Sequence, residues 1–304
     1  MKKILVLGKG LVGGSLSRRF NMNAEFQTFS LSRSDVDFKD FLLLEEQISS
    51  LKPNVVIIAA GVVGGIERNL VEPYDLGIQN SVILTNIINA CLELKIENLI
   101  NLVPACVYPA NIGRRMNPND LWMGPMEKTS LAYSTAKLLG VVLVDAARTQ
   151  FGKSWISVIA TNLYGDSIDC APQKQHVIPA LLRKFHEAKI SGAPQISLLG
   201  DGTPVREFMH VDDLASAVEF ILENQVYMDS VVNVSGTDYC TIKELADLIK
   251  KITCFDGEVS FDNTKKNGVA SKLVDGSRLH QLGWAPKISL EHGIDSIYAD
   301  INIL

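Results

Sequence analysis

Apolar residues in the first half of the chain fall into short runs separated by longer amphipathic stretches. Ile4-Leu5-Val6-Leu7, Val55-Val56-Ile57-Ile58-Ala59-Ala60, Leu99-Ile100-Asn101-Leu102-Val103 and Ile156-Ser157-Val158-Ile159-Ala160 are each of strand length, with a less apolar run at 26–31. Between them, residues 11–19, 80–94 and 129–151 read as helices. Strands without a polar face that alternate with helices form a parallel sheet covered on both sides. The pattern therefore predicts an α/β fold, a Rossmann-type doubly wound parallel sheet.

The pattern loosens after Gly165. Residues 166–175 read as a polar loop, 177–188 as a helix with Pro179 in its first turn, and 192–206 as a Gly/Pro-rich connection. Helix returns at 211–223, strand at 231–234, and helix at 241–252, where Thr241 and Glu244 make a capping box. No linker or repeat separates the halves. The expected division is a dinucleotide-binding unit of 1–165, to which 211–235 return, and a smaller substrate-binding unit of 166–210 and 236–304.

Composition narrows the class. The 304 residues are 47% hydrophobic with a net charge of -5, and no Lys/Arg block stands out, which argues against a nucleic-acid partner. The five cysteines form no C-x-x-C, so neither a disulfide framework nor a metal site is expected, and a reducing cytoplasm fits. No apolar run reaches the roughly 20 residues of a membrane span.

Gly8-Lys9-Gly10-Leu11-Val12-Gly13 matches G-x-G-x-x-G between a strand and a helix, where glycines let backbone approach a pyrophosphate at a helix N-terminus. The second strand ends Ser30-Leu31-Ser32-Arg33. No carboxylate stands there for a ribose hydroxyl, and Arg33 suits a 2′-phosphate, so NADP is expected over NAD. Asp37 and Phe38 are expected to border the adenine.

Tyr133 and Lys137 lie four apart on a predicted helix and so share one face. An ammonium beside a phenol is expected to pull its pKa down from about 10, making a proton donor for a carbonyl oxygen. Cys106 stands upstream in Cys106-Val107-Tyr108-Pro109.

With these motifs the chain resembles the extended short-chain dehydrogenase/reductases, and within them the GDP-L-fucose synthase type. The resemblance extends through Ala60-Gly61-Val62-Val63-Gly64-Gly65 with Asn80, Thr161-Asn162-Leu163-Tyr164-Gly165, His176-Val177-Ile178-Pro179, Gly202-Thr203-Pro204-Val205-Arg206-Glu207-Phe208 and Lys272-Leu273. It implies that Tyr133 protonates a C4 oxygen as hydride arrives, that Lys137 holds the nicotinamide ribose, and that Cys106 and His176 are base and acid for epimerisation at C3 and C5. It further implies Ala60, Asn162 and Leu163 at the cofactor, Lys184, Arg206 and Lys272 at a GDP-linked keto sugar, and a homodimer through the two long helices. A carbon beside a ketone is acidic, and a thiolate needs only a modest fall from about 8.5 to serve as its base.

The chain departs from the family pattern where Pro104 and Ala105 replace a hydroxyl residue before Cys106, where the glycine turn is one residue short, and where Leu199 replaces a Trp. The expected activity is NADPH-dependent reduction of the C4 ketone of a GDP-linked 4-keto-6-deoxy sugar, hexose or heptose, for surface glycans. Full epimerase-plus-reductase activity and a catalytically inactive cofactor-binding protein are the alternatives.

Overall fold

The computed structural model describes residues 1–165, 176–227, 229–236, 238–264 and 268–301. The loop expected at 166–175, with Cys170, lies outside the described residues. The short apolar runs become strands, β1 (Lys2–Leu7), β3 (Val55–Ile58), β4 (Asn98–Pro104) and β5 (Ser154–Ala160), largely buried on both faces, and the less apolar run becomes the half-buried edge strand β2 (Phe26–Leu31). With the later β9 (Val231–Val234) they form one parallel sheet in the order β2-β1-β3-β4-β5-β9.

Helices cover both faces. The alternation of α1 (Leu11–Asn21), α2 (Phe41–Leu51), a short α3 (Ile66–Val71), α4 (Pro73–Glu93) and α5 (Leu131–Phe151) with the strands builds the doubly wound layers, which α7 (Val211–Glu223) completes. Leu16 and Phe20 of α1 and Leu214, Val218 and Ile221 of α7 pack with Ile4, Ile57 and Val158 on one face. Leu44 and Ile48 of α2, Leu84 and Ile87 of α4 and Val144 of α5 pack with Leu5, Val56 and Leu99 on the other. Each such side chain contributes about 1.5–3 kcal/mol on burial.

Two expectations are corrected. The helix predicted at 80–94 begins at Pro73, because proline at the first helical position leaves no bond unmade. Gly77 lies within that helix, where an added Cβ would meet the Ala132 Cβ at 3.2 Å. A stretch long and apolar enough to cross a membrane does exist, Lys128–Phe151. Its Ser134, Lys137, Gly140, Val141 and Val144 are buried in the fold, as for the core helix of a sheet protein.

A smaller unit is built on the sheet β10-β8-β12 (Asp238–Thr241, Val205–His210, Ser271–Lys272), with β6 (Asn162–Tyr164) also paired to β8. The pair β7 (Gln195–Leu199) and β11 (Glu258–Asp262), and helices α6 (Val177–Ser191), α8 (Ile242–Thr253) and α10 (Leu290–Ile301), complete it. Thr241 and Glu244 form the capping box of α8. Phe185, Phe208, Leu245 and Ile294 share its core. Three 3-10 turns, Ala105–Val107, Pro118–Trp122 and Lys128–Ser130, lead from β4 to α5.

Candidate active site

The glycine turn folds as its spacing requires. Gly8 has φ +115°, and a Cβ there would lie 2.8 Å from the Ala59 carbonyl carbon. A Cβ on Gly13 would lie 1.7 Å from the Gly8 oxygen, so α1 can sit this close to β1 only with glycine at that position. Gly10 differs: a Cβ there meets nothing within 4 Å. Gly10 caps α1 with no side-chain hydrogen bond, and no acidic residue stands in the first turn. Open space before uncapped N–H groups fits a pyrophosphate. Leu11 and Val12 are half-buried beside it, Val12 against the core.

The end of β2 carries no carboxylate, as read, but one stands in the turn beyond it. Asp35 folds back onto the turn, 2.9 Å from the Lys9 ammonium, and accepts from the Ser32 N–H and hydroxyl, each at 2.7 Å. Those bonds, that to Lys9 first, hold its carboxyl well below the usual range. Arg33 is exposed beside this pair. Asp37 is exposed and accepts from the Lys39 N–H at 3.0 Å. Phe38 is buried in the core with Val36, so it does not present an open face to an adenine.

The helix α5 carries Tyr133 and Lys137 to the sheet. The Lys137 ammonium is buried and donates to the Ala60 carbonyl at 3.0 Å, and lies 5.9 Å from the Tyr133 ring centroid. It fits because residue 61 is glycine, where a Cβ would come within 2.7 Å of Nζ. Asn80, buried on α4, fixes that loop, accepting from the Val62 N–H at 3.0 Å and donating to the Val62 carbonyl at 2.9 Å.

Protonation departs from expectation. Burial pushes the Lys137 pKa down to about 8, with the Cys106 thiolate opposing. Burial, then the Cys106 charge, pushes the Tyr133 phenol up. The expected depression is absent because the Lys137 ammonium is directed to the Ala60 carbonyl. Burial likewise raises the Cys106 thiol, against the lowering pull of Lys272, a hydrogen bond from Ser134, and Lys137.

Ser130 at the N-cap of α5 and Tyr133, Ser134 and Lys137 on it follow i, i+3, i+4, i+7 and form one polar stripe. Cys106, in the turn after β4, interacts with Ser134, Lys137 and Lys272. Lys272 is paired with Glu127 at 3.6 Å and is the register partner of Arg206 on β8. Arg206 donates to the Val205 and Val269 carbonyls at 2.8 and 2.7 Å. Next to it, buried Glu207 accepts from Arg115 at 2.6 Å and from the Val274 N–H at 3.1 Å, which locks β8 to the segment carrying Lys272.

Tyr133, Lys137, Cys106 and Lys272 are thus brought together, and Arg206 joins through Glu127, whose charge acts on it. Glu127 was missed; the only sequence signal was a carboxylate six residues before Tyr133. His176 is the N-cap residue of α6 with exposed surface, while the protein around it pushes its imidazole pKa down. No described hydrogen bond joins it to the cluster. Lys184 is exposed and bonds the Ser197 carbonyl on β7. Asn162 donates to the Glu207 carbonyl at 2.8 Å, and Leu163 packs against the core under the sheet. Tyr108 is a buried strut, donating to Asn233 at 2.6 Å.

A parallel sheet, a glycine turn at its first crossover and a Tyr/Lys helix beside it define a nucleotide-dependent enzyme of the Rossmann type. The model of the NAD dependent epimerase/dehydratase family matches residues 4–235. The GDP-L-fucose synthase of Escherichia coli (strain K12) is 38% identical over 306 residues, covering 98% of this chain and 95% of its own. The structure is similar to a GDP-6-OMe-4-keto-L-xylo-heptose reductase from C. jejuni, with a TM-score of 0.92 and 25% identity over 99% of this chain and 98% of that one. It is also similar to a GDP-mannoheptose C4 reductase from Campylobacter jejuni with NADP bound, with a TM-score of 0.88 and 26% identity over the same shares. The chain belongs to the NAD dependent epimerase/dehydratase family, as an extended short-chain dehydrogenase/reductase of the GDP-L-fucose synthase type.

Proposed function

We propose that this protein reduces the C4 ketone of a GDP-linked 4-keto-6-deoxy sugar with NADPH. The observation that carries the reading is the Tyr133 phenol one helical turn from a buried Lys137 ammonium anchored on the Ala60 carbonyl. NADPH bound along the glycine turn would supply hydride to C4. Tyr133 donates its proton to the C4 oxygen, and its raised pKa keeps that proton in place at neutral pH. Lys137 holds the nicotinamide ribose and places positive charge near the developing alkoxide. Gly8, Gly10 and Gly13 with the N-terminus of α1 take the pyrophosphate, Ala60, Asn162 and Leu163 border the nicotinamide half, and Asp37 borders the adenine. Arg33, with Lys9, takes the 2′-phosphate. Arg206, Lys272 and Lys184 take the sugar nucleotide.

Cys106 favours a second reading in which epimerisation at C3 and C5 precedes reduction. It sits beside Tyr133 and Lys137 with Lys272 favouring its thiolate, the disposition of a base at carbons flanking C4. His176 is its acid partner. The free cysteines among the described residues support a reducing, cytoplasmic setting. Exposed Tyr74 and Ile78 on α4 and Leu131 and Val142 on α5 support a homodimer through these helices. We read 1–165 with 211–235 as the nucleotide half and the remainder as the sugar-nucleotide half.

The test is GDP-4-keto-6-deoxy-mannose with NADPH in D₂O. NADPH consumption without deuterium at C3 or C5 supports a pure reductase, and consumption with deuterium the combined activity. Deuterium without consumption refutes the reductase reading, as does NADPH binding with no turnover across hexose and heptose 4-ketones.

A further inference from the structure

Glu127 stands at the N-cap of the 3-10 turn Lys128–Ser130, yet its side chain caps nothing. Among the described residues its one ionic partner is the buried ammonium of Lys272, at 3.6 Å. That separation is wide of the roughly 2.7–2.9 Å at which such pairs close. The carboxylates that lock this fold do close: Glu207 accepts from Arg115 at 2.6 Å, and Asp120 from Arg114 at 2.6 and 2.7 Å. No described hydrogen bond engages the Glu127 carboxylate or the Lys272 ammonium, so an acceptor and a donor face each other, little exposed and unsatisfied.

The pair lies between two parts of the site. On one side is Cys106, near enough for the charges of Lys272, Lys137 and Glu127 to act on it. On the other is Arg206, the register partner of Lys272 on β8. Arg206 Nη1 is engaged by the Val205 and Val269 carbonyls. A Cβ on Gly268 would lie 3.1 Å from Arg206 Nη2 and 3.7 Å from Glu127 Oε1, so the glycine keeps the space between guanidinium and carboxylate clear. With the ketone carbon C4 at Tyr133 and the phosphate on C1 at Arg206, the sugar ring spans the Glu127–Lys272 pair. One edge of that ring, C2–C3, carries hydroxyls. The other carries the ring oxygen and a deoxy carbon, which have no proton to donate. A carboxylate only accepts and an ammonium only donates, whereas a hydroxyl does both.

We propose that Glu127, paired with Lys272, is a substrate-binding residue that accepts a hydrogen bond from a hydroxyl on the C2–C3 edge of the sugar and so selects sugars that carry it. The inference deepens the reading of this site as one for a GDP-linked 4-keto sugar and rests on that reading. The hydroxyl donates to Glu127, accepts from Lys272, and satisfies two groups that stand too far apart to satisfy each other. A sugar without it leaves both desolvated and unpaired, which is how a polar site rejects a deoxy analogue. Glu127 takes no part in holding the diphosphate, whose charge it repels.

Calorimetric titration in the presence of NADP⁺, which has no hydride to give, tests this without turnover. The ligands are GDP-4-keto-6-deoxy-mannose, its 2-deoxy and 3-deoxy analogues, and GDP. A hydrogen bond to a charged group corresponds to about 10–100-fold in affinity, so the parent should bind one of the two analogues that much more weakly than the full sugar. In Glu127→Ala the full sugar should weaken by a similar factor, the preference over that analogue should vanish, and GDP should bind as in the parent. Glu127→Gln keeps the volume and a neutral acceptor, and should retain a smaller preference; where the alanine variant does not fold, this variant decides. A preference that either folded variant keeps in full overturns the proposal, as does a parent without one. So does an equal loss of GDP and sugar binding, which would make Glu127 a support for the phosphate cations. A preference lost in the variant of a protein that consumes no NADPH upholds the subsite and refutes only the reductase reading.

Discussion

Lys137 is expected to cost the fold stability that its removal returns. Its pKa falls from 10.5 in the unfolded chain to about 8 in the fold, with burial the first cause. At about 1.4 kcal/mol per pH unit, the charged form is penalised by about 3 kcal/mol at pH 7. The sign is that of a depressed base. Between pH 8 and 10.5 the unfolded chain binds the proton and the fold does not, so this penalty is full below pH 8 and disappears as pH rises to 10.5. Lys137→Met removes the penalty, keeps the length of the side chain, and gives up the bond to the Ala60 carbonyl, worth about 1 kcal/mol. The variant should therefore be more stable at pH 7 by about 2 kcal/mol, which raises Tm by about 4 °C. The advantage should shrink from pH 8 upward and reverse above pH 10.5, where only the lost hydrogen bond remains. Denaturant melts of both proteins, with no cofactor added, across pH 6.5 to 11 measure it. A variant less stable at pH 7, or an advantage independent of pH, would refute the account of a buried, strained ammonium. Reductase turnover should be lost in the same variant.

Three further substitutions probe the site. Gly61→Ala puts a Cβ within 2.7 Å of the Lys137 ammonium, and displacing that group should lower kcat by about 10²-fold, read by NADPH oxidation, with folding intact by circular dichroism. Gly13→Ala puts a Cβ 1.7 Å from the Gly8 oxygen, so α1 must move away from β1; a loss of about 1–3 kcal/mol of stability and at least tenfold weaker NADPH binding by fluorescence titration are expected. Pro104→Ser restores a hydroxyl ahead of Cys106, and since one such donor is worth about 10²–10³ in rate, at least a tenfold rise in kcat for ketone reduction is expected. An unchanged kcat in the last case means that the C4 oxygen already has its donor.

What could be read from the chain was what depends on neighbours in sequence. The short apolar strands and the glycine turn are local patterns, and the resemblance alone groups Tyr133, Lys137, Cys106, Lys272 and Arg206. The start of α4 was not legible, because Pro73 and Gly77 look like breakers until one sees that Pro73 opens the helix and Gly77 faces Ala132 on α5. Asp35 was passed over because it lies four residues beyond the end of β2, and only the folded loop returns it to Lys9. The direction of the Tyr133 shift was misjudged for the same reason. Four residues along a helix bring two groups to one face but do not say where the ammonium points, and here a carbonyl from the end of β3 takes it. The stripe of Ser130, Tyr133, Ser134 and Lys137 was legible in principle, hidden within a helix whose remaining residues are apolar on nearly every side.

The protonation of the cluster has a consequence for how the two chemical tasks share it. Burial opposes charge on Lys137, Tyr133 and Cys106 alike, so each charge present must be supported by another. Ketone reduction needs the phenol neutral and the lysine charged, which the pKa of about 8 permits at pH 7. Enolisation also needs a charged lysine, because a thiolate at Cys106 draws on both Lys137 and Lys272. A thiolate in turn raises the Lys137 pKa, so charge on Cys106 favours charge on Lys137. It also raises the Tyr133 pKa, which holds the phenol proton more tightly while the base is charged. Proton abstraction neutralises Cys106 and removes that hold. In the combined activity proposed above, enolisation comes first and proton donation from Tyr133 second. Loss of the Lys137 charge is therefore expected to abolish reduction and enolisation alike.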